Sequence, residues 1–123
     1  MILTKSEMEI MDVLWLAQKP MSRSDILESS PDKSWKDSSV HILLNGLLKK
    51  GIIQESGFVK RSKTYGRTFT PTMTREEYFA ESIFSYKHKP RAVELVQAIL
   101  RQQAVSREDL TEIGNTISQM LEQ

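Results

Sequence analysis

The chain has 123 residues, with 17 basic and 16 acidic side chains, so its formal net charge is +1. It contains no cysteine, which excludes disulfides, thiolate metal sites and cysteine nucleophiles. The length suits one domain, or one small domain with an appendage, and the hydrophobic content of 39% suits a soluble protein with a modest core. No apolar run reaches the roughly 20 residues of a membrane span. The first residues lack the basic start and apolar stretch of a signal peptide, so we expect a cytoplasmic protein.

The first third of the chain predicts three helices. Capping boxes at residues 4–7 and 22–25 indicate a first helix over about 5–17 and a short second helix. Apolar side chains at positions i, i+3, i+4 and i+7 predict a third helix over about 36–50, and Gly51 marks its end.

The pattern then changes to strand-forming residues. An extended stretch begins at Ile52, and a second one covers residues 64–70. Gly57 and the cluster at residues 61–63 mark a turn between them. The sequence therefore predicts a β-hairpin with a basic tip.

Three more helices are expected in the rest of the chain. A capping box at residues 74–77 begins one over about 75–87, Pro90 suits the first turn of the next, and Ser106 caps the last. The fifth helix is apolar on more than one side and lacks a clear polar face, and a tail of about 50 residues is too small to bury it. We expect a second copy to cover it, the alternative being that the tail folds back on its own chain.

Three helices followed by a hairpin is the element order of a winged helix-turn-helix. We predict a mainly α fold with a small β-hairpin, comprising a winged helix-turn-helix DNA-binding domain over residues 1–72 and a three-helix dimerisation domain over residues 73–123. The expected dimer contacts are apolar residues of the last three helices: Tyr78, Phe79, Ile83, Phe84, Val93, Val96, Ile99, Leu100, Leu110, Ile113, Ile117 and Leu121.

The near-zero net charge conceals a segregation along the chain. Residues 49–75 carry seven basic side chains and one acidic side chain, for a net charge of +6, whereas residues 1–48 carry −2 and residues 76–123 carry −3. A local positive field attracts a polyanion more than total charge does, which favours DNA. The alternative is a solvated basic hairpin.

The outward face of the third helix is the predicted reading surface. Steps of 100° per residue turn Val40, Leu43, Leu44 and Leu47 inward. An asparagine can pair with adenine and an isoleucine can contact a thymine methyl. The predicted base contacts are His41, Ile42 and Asn45, and the predicted phosphate contacts are Ser38, Ser39, Lys49, Lys60, Arg61, Lys63 and Arg67. The helix has no arginine, and its exposed residues could instead be ordinary solvent-facing ones.

Nothing in the sequence predicts catalysis, a cofactor or a metal site. His41 and His88 are the only histidines, and neither has a partner at ligand spacing. The acidic pairs at residues 76–77 and 108–109 lie in first turns of predicted helices, where capping and the helix dipole explain them.

Four segments together resemble a known family: residues 3–15, Trp35 with residues 40–53, residues 69–78, and residues 95–110. In this order they resemble the penicillinase (β-lactamase) repressors of the BlaI/MecI type. The resemblance implies a homodimeric winged-helix transcriptional repressor that binds a palindromic operator. It also implies release through a membrane sensor protease, whose scissile bond would fall between Ala98 and Ile99.

The third helix departs from the pattern of that family. The usual Ser-Pro-x-Thr start reads Lys-Asp-Ser-Ser at residues 36–39, a basic residue and a threonine are replaced by His41 and Ile42, and a further arginine is replaced by Gly46. Two alternatives therefore stay open. One is a winged helix used as a protein-interaction module, and the other is a small-molecule sensor with a pocket near the aromatic residues 78, 84 and 86.

Overall fold

The structure is a computed structural model that describes residues 1–61 and 64–123, without the side chains of residues 60–65. The chain divides into two compact units, Met1–Lys87 and His88–Gln123. This division falls later in the chain than residue 72, because the fourth helix packs within the first unit. The assignment of residues 73–123 to dimerisation stays a prediction.

The first unit is a winged helix, in agreement with the predicted fold class. Its elements are α1 (Lys5–Ala17), β1 (Met21–Ser22), α2 (Arg23–Glu28), a 3₁₀ turn (Asp37–Ser39), α3 (Val40–Lys49), β2 (Ile53–Arg61), β3 (Thr64–Pro71) and α4 (Arg75–Ile83). The second unit contains α5 (Ala92–Gln102) and α6 (Arg107–Leu121). No helix in the described part of the chain has both the length and the apolar character to span a membrane.

Capping boxes begin three of the helices, as predicted. The side chain of Thr4 accepts a hydrogen bond from the amide of Glu7, and the Glu7 carboxylate accepts one from the amide of Thr4. The same reciprocal bonds begin α2 and α4. Each box satisfies two amides that a helix start would otherwise leave without partners.

The sheet differs from the prediction in two respects. It has a third strand, β1, which pairs with β3 so that Met21 faces Phe69, and the strand order is β1-β3-β2. Gly57 lies within β2 rather than in a turn, at a β-bulge where the register with β3 shifts. Its φ of 147° lies in a region that residues with a Cβ rarely adopt, which explains the glycine.

Helix α3 begins later than predicted, at Val40, behind the 3₁₀ turn. It ends at Lys49, and Gly51, which has a φ of 75°, follows the C-cap Lys50 and marks the end of the helix as expected. The amide of Gly51 donates to the carbonyl of Leu48, and the amide of Ile52 donates to that of Leu47. These are the two bonds of a Schellman motif, and they direct the chain from α3 into β2.

The later helices also differ in detail from the expectation. Helix α4 ends at Ile83, and Pro90 precedes Arg91, the N-cap of α5, instead of lying in its first turn. Helix α5 has a narrow polar stripe, because Glu94 and Arg101 lie seven residues apart with Gln97 between them. The helix is therefore amphipathic, with a wide apolar face.

The hydrophobic core joins α1, α2, α3 and the sheet. Among its members Ile10, Ile26, Leu47 and Ile52 are completely buried. Tyr78 of α4 also belongs to this core, since it is only 3% exposed. Burial of these side chains fixes the position of α3 and of the wing formed by β2 and β3.

Candidate nucleic-acid interface

Helix α3 presents a polar stripe away from the core. Val40, Leu44 and Leu47 are buried, whereas Ile42 is 74% exposed and Asn45 is also exposed. The predicted contacts Ser38, His41 and Lys49 lie on the same exposed side, and Ser39 is half-buried. The hydroxyl of Ser39 makes no capping bond, although this residue is the N-cap of α3. The stripe thus combines exposed donors, acceptors and one apolar side chain, as direct readout of a major groove requires.

An ion pair holds the end of α3 against α1. Lys50 Nζ donates to Glu7 Oε1 at 2.6 Å, and the same carboxylate is part of the α1 capping box. Gly46 faces this carboxylate, because a Cβ built on it would lie 3.4 Å from Glu7 Oε2. Gly46 therefore lies on the α1 side of α3 and is half-buried.

Glu7 remains charged in spite of its burial. Burial raises the pKa of its carboxyl, but the hydrogen bonds from Lys50 and from the amide of Thr4 outweigh burial and hold this pKa below its ordinary value. The carboxylate therefore anchors both the start of α1 and the end of α3.

A further contact, at the start of α3, was not predicted from the sequence. Arg23, the first residue of α2, donates from Nη1 to Nε2 of His41, and both side chains are exposed. The sequence does contain a signal for a special role of Arg23: it is a cation in the first turn of a helix, where the helix dipole favours an acidic residue.

The positive block is partly neutralised within the protein. Arg67 donates to Glu55 at 2.5 Å and its guanidinium lies 5.3 Å from the centre of the Phe69 ring. Arg75 pairs with a carboxylate of α1, and Lys50 pairs with Glu7. Of the four cations in residues 49–75 whose side chains the structure describes, three thus have a carboxylate partner, which weakens the field that the sequence suggests.

The side chains of three predicted phosphate contacts, Lys60, Arg61 and Lys63, lie outside the described part of the chain. Lys49, the remaining cation of the block, is exposed in the last turn of α3. The predicted phosphate contacts whose side chains are described are Ser38, Ser39 and Lys49 on the α3 side and Arg67 on the wing.

The wing also carries an exposed aromatic ring that the sequence analysis did not single out. Phe58 faces Arg67 across β2 and β3, and 69% of Phe58 is exposed. The bulge beside Gly57 precedes it in β2. A period-two reading across this stretch could not anticipate which face Phe58 would take, because the bulge shifts the alternation by one residue.

Most of the predicted dimer contacts are exposed in the structure. None of the residues of α5 and α6, all of which are described, is buried. The exposed members are Phe79, Phe84, Val93, Val96, Ile99, Leu110, Ile117 and Leu121, and the half-buried members are Ile83, Leu100 and Ile113. The second unit thus presents an uncovered apolar face.

Tyr78 has a different environment from the other predicted dimer contacts. Its hydroxyl accepts a hydrogen bond from the amide of Leu3 at 2.9 Å, and its ring centre lies 5.9 Å from that of Trp15. The Trp15 indole donates to the carbonyl of Met73 at 2.9 Å. These contacts attach α4 to α1, so Tyr78 packs and forms its hydrogen bond within one protomer.

A groove of about 720 Å³ lies beside this contact, between the end of α1 and the start of α4. Trp15, Pro71, Met73 and Thr74 are among its lining residues. The groove lies away from the position expected for a sensor pocket, because Tyr78, Phe84 and Tyr86 are absent from its lining.

Comparison with known proteins agrees with this architecture. The model of the penicillinase repressor family matches residues 3–119. An uncharacterised 16.5 kDa protein of Latilactobacillus sakei, encoded in the ptsI 3′ region, is 26% identical over 117 residues. That match covers 94% of this chain and 78% of the relative.

Solved structures give weaker likenesses. Bacillus subtilis PadR in complex with operator DNA is 16% identical with a TM-score of 0.47, and the match covers 94% of this chain and 68% of that chain. Staphylococcus aureus MarR in complex with salicylate and kanamycin is 15% identical with a TM-score of 0.45, over 98% of this chain and 72% of that chain. Both TM-scores are below 0.5. The family model, in contrast, matches nearly the whole chain, residues 3–119: this chain belongs to the penicillinase repressor family, whose members are DNA-binding transcriptional repressors.

Proposed function

We propose that this protein is a homodimer that represses transcription by binding a palindromic operator. The observation that carries the proposal is the exposed stripe of α3: Ile42, Asn45 and Lys49 are exposed on a helix whose opposite side is buried, and Ser38 is exposed in the 3₁₀ turn before it. In a helix-turn-helix this is the helix that enters the major groove.

The stripe offers chemistry for both bases and phosphates. Asn45 can form two hydrogen bonds to an adenine edge, and Ile42 can contact a thymine methyl. Ser38, Ser39 and Lys49 suit phosphate oxygens, which position the protein on the duplex. Lys60, Arg61 and Lys63 of the wing, together with Arg67, supply further positive charge for the phosphate backbone.

The second unit supports the dimer. It has only 36 residues, His88–Gln123, and domains below about 40 residues rarely bury enough surface to be stable alone. Its exposed residues include Val93, Ile99 and Ile117. A second copy supplies the same apolar face by symmetry, and two copies present two reading helices to two half-sites about 34 Å apart or a multiple of that distance.

Release of the repressor by proteolysis is a further part of the proposal. The bond between Ala98 and Ile99 lies inside α5, and both residues are exposed. Cleavage there would divide the apolar face of α5 and weaken the dimer. The partner implied is a membrane sensor protease system, and the compartment implied is the cytoplasm, where a repressor meets its operator.

The experiment is a fluorescence-anisotropy titration with DNA from upstream of the protein's own operon at several salt concentrations. We expect tight binding at low salt and a linear fall of log K with log salt concentration. Replacing Lys60, Arg61 and Lys63 with alanine should weaken binding to all duplexes and reduce the slope by up to about 2.7, because each phosphate contact contributes about 0.9.

A charge-matched control is the variant with Lys87, Lys89 and Arg101 replaced by alanine, since these cations lie outside the proposed interface. It should keep the slope of the unchanged protein. Absence of binding at low salt would contradict the proposal and favour the protein-interaction module. An unchanged slope in the wing variant would contradict the role of the wing alone.

A further inference from the structure

The exposed stripe of α3 lacks the side chain that most often reads bases. Arginine forms two hydrogen bonds with the O6 and N7 atoms of guanine, and α3 contains no arginine. The lysine of α3, Lys49, lies in the last turn of the helix. Base contacts, however, concentrate near the start of a recognition helix.

An arginine from the preceding helix reaches that start. Arg23 is the first residue of α2, and its Nη1 donates to Nε2 of His41, the second residue of α3. The guanidinium has only donors, so Arg23 is the donor in this contact. Through this contact the guanidinium reaches the first turn of α3 at His41.

The environment of Arg23 differs from that of arginines that serve ion pairs. Arg67, Arg75 and Arg91 each donate to a carboxylate. Within the described part of the chain, Arg23 has no carboxylate at ion-pair distance, and only one of its five N–H donors is used by His41. Both its full charge and its remaining donors are thus available to a ligand.

The position of Arg23 also disfavours a purely structural role. A cation in the first turn of a helix opposes the helix dipole, and α2 already has its N-cap bonds from Ser22 and Asp25. The residue makes no contribution to the core, since its side chain is exposed. Its placement is explained if the guanidinium binds something outside the protein.

We propose that Arg23 reads a guanine in the major groove, with His41 as the positioning residue that holds the guanidinium at the start of α3. This inference rests on the proposed DNA-binding function and adds a specificity-determining residue to it. It assigns to α2 the base-reading arginine that α3 does not contain.

The test begins with selection of preferred duplexes from a randomised DNA library by the full-length protein. We expect a conserved G·C pair in each half-site, preferred over A·T by roughly 5- to 150-fold. Arg23→Ala should abolish this preference while leaving the preferences at the other positions unchanged. Substitution of that guanine by 7-deazaguanine, which lacks N7, should weaken binding by the unchanged protein and have no effect on Arg23→Ala.

Two further variants separate positioning from folding. His41→Ala should reduce the preference for the G·C pair without abolishing it, because Arg23 remains but is no longer held. Arg91→Ala, which removes an exposed arginine from the second unit, is the matched control and should leave every preference unchanged. A melting temperature of Arg23→Ala equal to that of the unchanged protein would establish that the variant is folded.

The possible results separate this inference from the function on which it rests. If the unchanged protein selects no duplex, the proposed function is wrong and this inference falls with it. If the unchanged protein selects a site but Arg23→Ala weakens all duplexes equally, Arg23 contacts phosphate and the inference is overturned. It is also overturned if Arg23→Ala keeps the preference for the G·C pair.

Discussion

Gly46 lies in the interior of α3, and its replacement by alanine tests how closely α1 and α3 pack. Glycine in a helix interior costs about 1 kcal/mol relative to alanine, because the unfolded chain loses more conformational freedom. The new Cβ would lie 3.4 Å from Glu7 Oε2, which is ordinary van der Waals contact at its short limit. The hydrogen bonds from Thr4 and Lys50 go to the other carboxylate oxygen, Oε1, and are not obstructed.

The helix preference should therefore outweigh the close contact. We expect Gly46→Ala to raise the free energy of unfolding by about 0.5–1 kcal/mol. For a unit of this size, that corresponds to a rise of roughly 2–8 °C in the melting temperature. DNA affinity should be unchanged, because Gly46 faces α1 and not the exposed stripe.

The assay is thermal unfolding followed by circular dichroism, at one protein concentration because dimerisation links stability to concentration. Gly114→Ala is the matched control, since Gly114 lies inside α6 with no atom within 4 Å of a built Cβ. A lower melting temperature for Gly46→Ala, with Gly114→Ala stabilised, would refute the reasoning. It would mean that the contact with Glu7 has no room for a methyl group.

Four other predictions concern an ion pair, pH, a buried hydrogen bond and assembly. Lys50→Ala should lower the free energy of unfolding by about 1–3 kcal/mol in a urea titration, because the buried Glu7 carboxylate loses its cation; an unchanged midpoint would contradict this. The pKa of Glu7 is below its ordinary 4.5 in the folded protein, so the unfolded chain takes up the proton first as the pH falls. The contribution of Glu7 to the free energy of unfolding is therefore complete above pH 4.5 and is lost as the pH falls through the pKa of the folded protein. Between these two pH values, Lys50→Ala should lose less stability than the unchanged protein. Tyr78→Phe should destabilise by about 1–3 kcal/mol, because a buried main-chain amide loses its acceptor; equal stability of both proteins in urea would argue against this bond. Ile99→Asp should shift the monomer–dimer equilibrium, measured by sedimentation equilibrium, towards the monomer. The control Gln97→Asp, on the polar stripe of α5, should leave that equilibrium unchanged, and a monomeric unchanged protein would contradict the proposed interface.

The sequence predicted the elements that depend on local interactions. Helix α1 begins and ends where predicted, because its capping box and its apolar spacing lie within the helix itself. Gly51 ends α3 for a similar reason, since the Schellman bonds involve only neighbouring residues. In each case the atoms that decide the structure are within a few residues of one another.

The features that the sequence analysis missed depend on distant residues. Strand β1 has two residues, and it exists only because Met21 and Ser22 pair with β3. Lys50 and Arg75 contribute less free charge than expected, because their carboxylate partners lie 43 and 63 residues away in the chain. Arg23 and His41 are 18 residues apart and on different helices. A count of charges along a sequence identifies the ionised groups but not their ion-pair partners. The electrostatic field at the proposed DNA interface can therefore be derived only from the structure.

The proposed dimer and the small number of reading groups on α3 are physically connected. Specific DNA binding exceeds non-specific binding by about 4–10 kcal/mol, and one good bidentate base contact contributes about 1–3 kcal/mol. If Asn45 and Arg23 each make one such contact, a single protomer supplies about 2–6 kcal/mol, which falls short of that range or reaches only its lower part. Two protomers on a palindrome double the number of contacts without any new residue. A surface with few donors is therefore adequate for a repressor only if the apolar face of α5 and α6 holds two copies together, so loss of the dimer should remove sequence preference before it removes attraction to DNA.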